Sequence, residues 1–311
     1  MVNMENICKI CNREVKENSH FWKNHKMKEK DYYIKFFPRF DLFDNSPILF
    51  KSKDQYLNAD FNSKDNLNKW LKISDKDTIK KYITNWFKSR KEKKDLIYAL
   101  SQVELRSLII PGINYIHNLF GDYYEFCNSL GFINKLQSFK EWKTPIKLDG
   151  RRIIWVDSRE QNHLVFETIT PKIKKLDYGD YMFANNEWTG KISMERKSLS
   201  DFLGTLSSGY ERFKRELKRA QDDNAYVIIL VEETLERSLD YKNLGLLNYR
   251  VNISPDYIFH RVRELNQEFK DIQFLFVNSH SAAATMVEKL FSYGAQIKSY
   301  DLQLLLDKCI L

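Results

Sequence analysis

From Gly150 onward, short apolar runs alternate with longer amphipathic ones, and this alternation most narrows what the chain can fold into. The short runs are R-I-I-W-V-D (152–157), K-K-L-D-Y-G-D-Y-M-F (174–183), G-K-I-S-M-E-R-K (190–197), A-Y-V-I-I-L-V-E (225–232) and I-Q-F-L-F-V-N (272–278). Their length and their β-branched and aromatic content predict strands. Between and after them, 199–221, 254–269 and 281–293 predict helices. In the first of these, Phe202, Leu206, Phe213 and Leu217 can share one face, ringed by Arg212, Lys214, Arg215, Lys218 and Arg219, with Ser198 or Ser200 as cap. The expected fold class of this part is mixed α/β.

Two other regions precede it. The domain plan read from the sequence is 1–40, 41–147 and 148–311, with the last boundary at the Pro/Gly-marked stretch K-T-P-I-K-L-D-G. Only 6 prolines and 10 glycines occur in 311 residues, so long flexible linkers are not expected. The formal net charge of +8 favours a polyanionic partner, chiefly nucleic acid. No run approaches the roughly 20 apolar residues of a membrane span, and M-V-N-M-E-N-I-C-K lacks a signal-peptide block. A cytoplasmic protein with no membrane partner is the resulting expectation. The Lys, Asn and Ile richness points to an AT-rich source, such as a phage or a low-GC bacterium.

The segment M-E-R-K-S-L-S-D (194–201) packs Glu195, Arg196, Lys197 and Asp201 into eight residues. A charged, solvated helix start is one reading. Strand geometry gives another, because successive side chains point to opposite faces. Ile192, Met194 and Arg196 then share one face, and Ser193, Glu195 and Lys197 the other. A carboxylate and an ammonium projecting together suit metal-dependent phosphodiester hydrolysis. The carboxylate binds a divalent cation, and the lysine orients or deprotonates water and offsets phosphate charge. A second carboxylate is available at Asp180, which a hairpin through A-N-N-E-W-T-G brings towards Glu195, and a third at Asp157. Such a group suits Mg²⁺ or Mn²⁺.

G-D-Y followed by E-R-K-S-L-S-D resembles the G-D-x(n)-E-R-K-x-x-x-D signature of XPF-type nuclease domains, a variant of the restriction-endonuclease-like PD-(D/E)xK fold. V-D-S-R-E resembles that family's first strand, and S-G-Y-E-R-F-K-R-E-L its following helix. The resemblance spans about residues 150–295. It implies Asp180, Glu195 and Asp157 as metal ligands and Lys197 as the residue that activates water. Arg196 and Asp201 fill positions needed for cleavage, and Glu160 the acidic place of the first-strand motif, binding through water. Two plainer readings stay open: Asp201 as a first-turn helix acid favoured by the macrodipole, and Arg196 as an ion pair beneath the strand. The helix motif further implies DNA contacts from Tyr210 and Arg212, and the family a homodimer through the nuclease domain. Many members carry tandem helix-hairpin-helix units, and none is visible in 279–311. DNA targeting is therefore expected from elsewhere in the chain or from a partner.

Near the N-terminus, Cys8-x-x-Cys11, eight residues, His20, four residues and His25 have the spacing of a tetrahedral Zn²⁺ site. The loop is shorter than in the common finger, and the segment resembles the compact Ros-type finger, with K-N-H-K-M-K-E-K-D-Y-Y-I-K-F-F as its helix. Lys23, Lys26 and Lys28 are then candidates for phosphate contact. A structural or protein-contacting finger is the other reading. Residues 101–132 predict short helices broken at Pro111–Gly112, Gly121 and Gly131. There F-G-D-Y-Y-E-F-C-N-S-L-G-F resembles the helical repeat beside homing endonucleases, and a plain bundle with Phe120, Tyr124 and Leu130 as core fits equally.

Together these features predict a modular, metal-dependent DNA endonuclease of phage or mobile-element (homing) type. A structure-specific flap, fork or junction nuclease is the alternative. A non-catalytic DNA-binding regulator is the rival from another class.

Overall fold

The computed structural model describes residues 7–17, 19–48, 60–138, 142–145, 152–184, 191–246 and 253–311. Most of the expected hairpin connection (185–190) and part of the expected linker (146–150) lie outside the described residues. The chain divides into two compact units. One is Met1–Lys93 with Leu108–Pro111, and the other is Lys94–Ser107 with Gly112–Leu311.

The first unit holds helices α1 (His20–His25), α2 (Glu29–Phe36), α3 (Lys64–Ile73) and α4 (Lys76–Lys94). Its N-terminal module has a small aromatic core. Phe21 stacks on Tyr32 at 4.1 Å between ring centroids, and Cys8, Tyr33 and Ile48 are buried with them.

The second unit begins with α5 (Gln102–Arg106), α6 (Ile113–Phe120) and α7 (Tyr123–Ser129). The breaks fall at the expected punctuation, since Gly121 and Gly131 both take positive φ. Tyr124 is buried, whereas Phe120 and Leu130 are half-buried. This helical stretch is bonded to later parts of its own unit. Asp301 Oδ2 accepts from Gln102 N at 2.7 Å, and Ser107 Oγ accepts from Arg263 at 2.7 Å.

A six-stranded sheet follows, in the order β2-β1-β3-β4-β5-β6. The strands are β1 (Arg152–Asp157), β2 (Ile169–Lys174), β3 (Tyr181–Phe183), β4 (Ile192–Lys197), β5 (Tyr226–Val231) and β6 (Ile272–Phe276). β3 runs antiparallel to both β1 and β4, while β1–β2, β4–β5 and β5–β6 are parallel pairs. The carboxyl ends of β1, β4, β5 and β6 therefore share one edge, where open α/β sheets bind ligands. The remaining helices are α8 (Leu199–Leu206), α9 (Tyr210–Asp222), α10 (Leu235–Leu239), α11 (Pro255–Glu268), α12 (His280–Tyr293) and α13 (Leu302–Asp307).

Strand alternation sorts the core into two layers. Val227, Ile229 and Val231 pack with Phe202, Phe213, Leu217 and Phe259 of α8, α9 and α11. Ile228 and Leu230 face Val287, Leu290 and Phe291 of α12, beside Ile154, Ile192 and Met194. β5 is buried along its whole length, and each such Val, Leu or Ile contributes roughly 1.5–3 kcal/mol on removal from water.

Three expectations need correction. The segment 174–183 is not one strand, because Lys174 ends β2 and only Tyr181–Phe183 pairs in β3. β2 itself was not anticipated, since I-T-P-K-I-K contains a proline, which an edge strand tolerates. The helix over 199–221 is two helices. Gly209 N donates to Gly204 O at 3.0 Å, and its missing Cβ would sit 3.2 Å from Gly204 O and Thr205 Cα. The chain thus turns tightly between α8 and α9, while Phe202, Leu206, Phe213 and Leu217 still enter one core. Of the two caps considered, Ser198 is the one used, its Oγ accepting from Asp201 N at 3.2 Å.

Gly179, before β3, fixes the hairpin geometry. It has φ +69°, and a Cβ there would lie 2.0 Å from Ser193 Oγ and 3.1 Å from Met194 O. Glycine is required on both counts. Gly179→Ala is expected to lower the unfolding free energy by about 1–3 kcal/mol or more, the cost of one strained backbone position. Urea denaturation checks this, and an unchanged midpoint would contradict it.

Candidate functional site

The β3–β4 hairpin assembles the acidic site. Met194 O accepts from Asp180 N and Asp180 O from Asp157 N, both at 2.8 Å, so the three segments are locked at the strand ends. Ile192 and Met194 point into the core with α12, which turns Ser193, Glu195 and Lys197 towards α8 and α9. Glu195 is only 5% exposed, and its Oε1 is in direct contact with Lys197 Nζ. Asp180 Oδ2 accepts from Arg196 N at 2.8 Å.

The electrostatics are those of a site short of positive charge. Burial pushes the Glu195 carboxyl well above the carboxylate range, and the Asp180 charge adds to the push. Burial raises Asp180 likewise, against the pull of Lys197. Burial alone would lower Lys197, but Glu195 and Asp180 hold its ammonium above the ordinary lysine value. Among the named residues, Asp180, Glu195 and Lys197 come together. Glu216 of α9 joins them, with Oε1 accepting from Gly179 N at 3.1 Å and its charge acting on Glu195 and Lys197.

Asp157 is occupied otherwise. Its Oδ1 accepts from Arg159 N at 2.8 Å and Nε at 3.0 Å, and its Oδ2 from Arg159 NH2 and Leu176 N. The Arg159 guanidinium holds Asp157 below the usual carboxylate range. Arg196 lies on the opposite face from Glu195, paired with Glu160 and Glu232 at 2.9 Å each, and Glu232 meets His280 Nδ1 at 2.6 Å. Glu160 thus sits on Arg196. Asp201 is exposed at the start of α8 and accepts from Ser198 Oγ at 2.7 Å. Tyr210 is buried, with its ring under the Arg261 guanidinium and its hydroxyl 3.4 Å from Glu264, whereas Arg212 is exposed.

The first unit carries a separate donor set. The ligand atoms of Cys8, Cys11, His20 and His25 all lie within 4.8 Å of one another, the one group of three or more such residues among the described residues. Asp157, Asp180 and Glu195 do not form such a group. Cys8 Sγ is 3.3 Å from His25 Nε2, and Cys11 Sγ is 3.6 Å from His20 Nε2. Tetrahedral bonds of 2.0–2.3 Å put ligand atoms about 3.3–3.8 Å apart, so the donor set fits one tetrahedral ion. Cys8 N donates to Arg13 O at 2.8 Å, and Asn12 takes φ +55° to close the turn. Burial pushes the Cys8 thiol up, but N–H groups of Ile10 and Cys11 outweigh it, and the thiol lies below its ordinary value. Lys26 and Lys28 are exposed nearby, and Lys23 pairs with Glu17 at 3.2 Å.

The site is thus a mixed sheet with two acids and a lysine gathered at the edge where its parallel strands end. Residues 156–290 match the ERCC4 domain, and this part of the chain is an ERCC4 domain, the XPF-type nuclease domain. Two solved structures are similar. XPF from Aeropyrum pernix in complex with DNA is 22% identical, with a TM-score of 0.34, over 45% of this chain and 63% of that one. XPF from Aeropyrum pernix alone is 22% identical, with a TM-score of 0.34, over 46% of this chain and 65% of that one. The chain thus spans less than two thirds of either. No curated protein matches.

Residue-level consequences follow from the raised acids. Carboxylates with raised folded pKa values bind more protons folded than unfolded, so their contribution to stability is lost as pH rises from the ordinary carboxylate range through the raised values. Asp180→Asn keeps an acceptor for Arg196 N and removes one charge. Without added divalent ion, this variant is expected to melt higher than wild type at pH 8 and equally at pH 4. A lower melting point at pH 8 would contradict the account.

Proposed function

We propose that this chain is a metal-dependent DNA endonuclease whose chemistry centres on Asp180, Glu195 and Lys197. The observation that carries the reading is a pair of repelling carboxylates, Glu195 buried and Asp180 half-buried, beside the Lys197 ammonium inside a match to the ERCC4 domain. Hard oxygen donors suit Mg²⁺ or Mn²⁺, which takes one or two carboxylates and keeps several waters. When bound, such an ion polarises the phosphodiester and acidifies a water. Asp180 and Glu195 are the residues that would hold it, Glu195 being in contact with Lys197. Lys197, kept protonated by its acidic neighbours, orients the attacking water and offsets phosphate charge. Removing the water's proton then falls to another group. Asp157 serves from outside the pair, holding the β1 end through Arg159, and Glu160 and Arg196 brace the sheet from its other face. Asp201 acts through the start of α8.

The ERCC4 domain favours branched DNA such as flaps, forks or junctions as substrate. The Cys/His module favours a second reading, a site-specific phage or mobile-element nuclease. In that reading zinc organises α1, Lys23, Lys26 and Lys28 meet phosphates, and Arg212 adds a contact from α9.

Asp180→Ala and Glu195→Gln are each expected to lower Mg²⁺-dependent cleavage by at least about 100-fold while leaving DNA affinity within a few-fold. Nicking assays on one matched set of plain and branched duplexes check this, and cutting at wild-type rate by either variant would contradict it. Preference for the branched set supports the first substrate reading, and a fixed site in plain duplex the second.

The Cys/His module is expected to carry one Zn²⁺ per chain. Cys8→Ser should lose that ion and the order of the N-terminal module, since such sites contribute about 10–16 kcal/mol of apparent binding energy at neutral pH. Elemental analysis with amide exchange tests this, and a metal-free wild-type module that keeps its protection would contradict it.

A further inference from the structure

Glu216 lies in the helix stretch S-G-Y-E-R-F-K-R-E-L but was not among the candidate site residues, yet it touches the element that aims Asp180. It lies on α9 between Phe213 and Leu217, both buried, so its side chain leaves the helix at the rim of the core face. Its Oε1 accepts a hydrogen bond from Gly179 N at 3.1 Å. Gly179 is itself buried and left-handed, with no room for a side chain beside Ser193.

The polar groups of Asp180 have other partners. Its N–H is used by Met194 O, its C=O by Asp157 N and its Oδ2 by Arg196 N, each at 2.8 Å. The Gly179 amide is the donor just ahead of these, and the length of the Glu216 side chain is what brings an acceptor oxygen to it. We propose that Glu216 is a positioning residue. By accepting the Gly179 N–H it fixes the left-handed turn that directs Asp180 towards the cation shared with Glu195. The inference rests on the nuclease reading of Asp180 and Glu195.

Two substitutions separate geometry from charge. Glu216→Gln keeps the reach and an acceptor oxygen but removes the charge. Glu216→Asp keeps the charge but withdraws the oxygen by one methylene. Both are small changes on a half-buried helix position. Mn²⁺ affinity by calorimetry, and kcat and KM for DNA, are read on the full chain, with Asp180→Asn alongside. Glu216→Asp is expected to weaken Mn²⁺ binding by about 10–100-fold and to lower kcat with little change in KM. Glu216→Gln should stay close to wild type in both. Wild-type Mn²⁺ affinity in Glu216→Asp would overturn the proposal, and so would a loss in Glu216→Gln equal to that in Glu216→Asp. If Asp180→Asn binds Mn²⁺ as wild type does, the nuclease reading itself fails. If it loses binding while Glu216→Asp does not, only the role of Glu216 falls.

Discussion

Two acids, the buried Glu195 and the half-buried Asp180, repel one another at the sheet edge, with the Lys197 ammonium in direct contact with Glu195. Burying like charges is costly unless something positive is bound, and natural sequences keep such arrangements where chemistry needs them. Much of the second unit holds this pair in place. The hairpin bonds through Met194 and Asp157 fix the backbone, and Gly179 permits the turn. The Arg196 salt bridges to Glu160 and Glu232 stiffen the same strand end from below.

The period of a strand divides labour along Glu195-Arg196-Lys197. Two of three adjacent charged residues face α8 and α9, while the middle one is sent through the sheet to an ion-paired network with His280 beyond it. A guanidinium between two nearly buried glutamates is a brace. Its two ion pairs tie the ends of β1, β4 and β5 together. Arg159 has the corresponding part on Asp157. The Cys/His module follows another logic, in which too few apolar residues are available and four converging ligand atoms replace a larger core.

Much of this was legible in the sequence, where local pattern and tertiary outcome agree. Five apolar runs located β1, β4, β5, β6 and part of the β3 hairpin, and the alternation in I-S-M-E-R-K put Glu195 and Lys197 on one face. The thiol and imidazole spacing located the metal-type cluster. β2 was hidden because an edge strand need not be apolar, and Pro171 and two lysines mask it. The α8–α9 break was hidden because its cause is a backbone approach between Gly204 and Gly209, which no periodicity reports. The preference of Asp157 for Arg159 is a contest between partners that only geometry decides, although V-D-S-R-E contains both residues. Glu216 carried only a faint signal, one of two acids between core positions of a basic helix, and its partner is a backbone amide 37 residues away.

The most direct test of the central claim is a crystal structure soaked in Mn²⁺ and measured for anomalous scattering. A peak bonded to both Asp180 and Glu195, with Lys197 moved off Glu195 Oε1, is the predicted result. A peak that avoids these two carboxylates, or none anywhere in the second unit at saturating Mn²⁺, would contradict it.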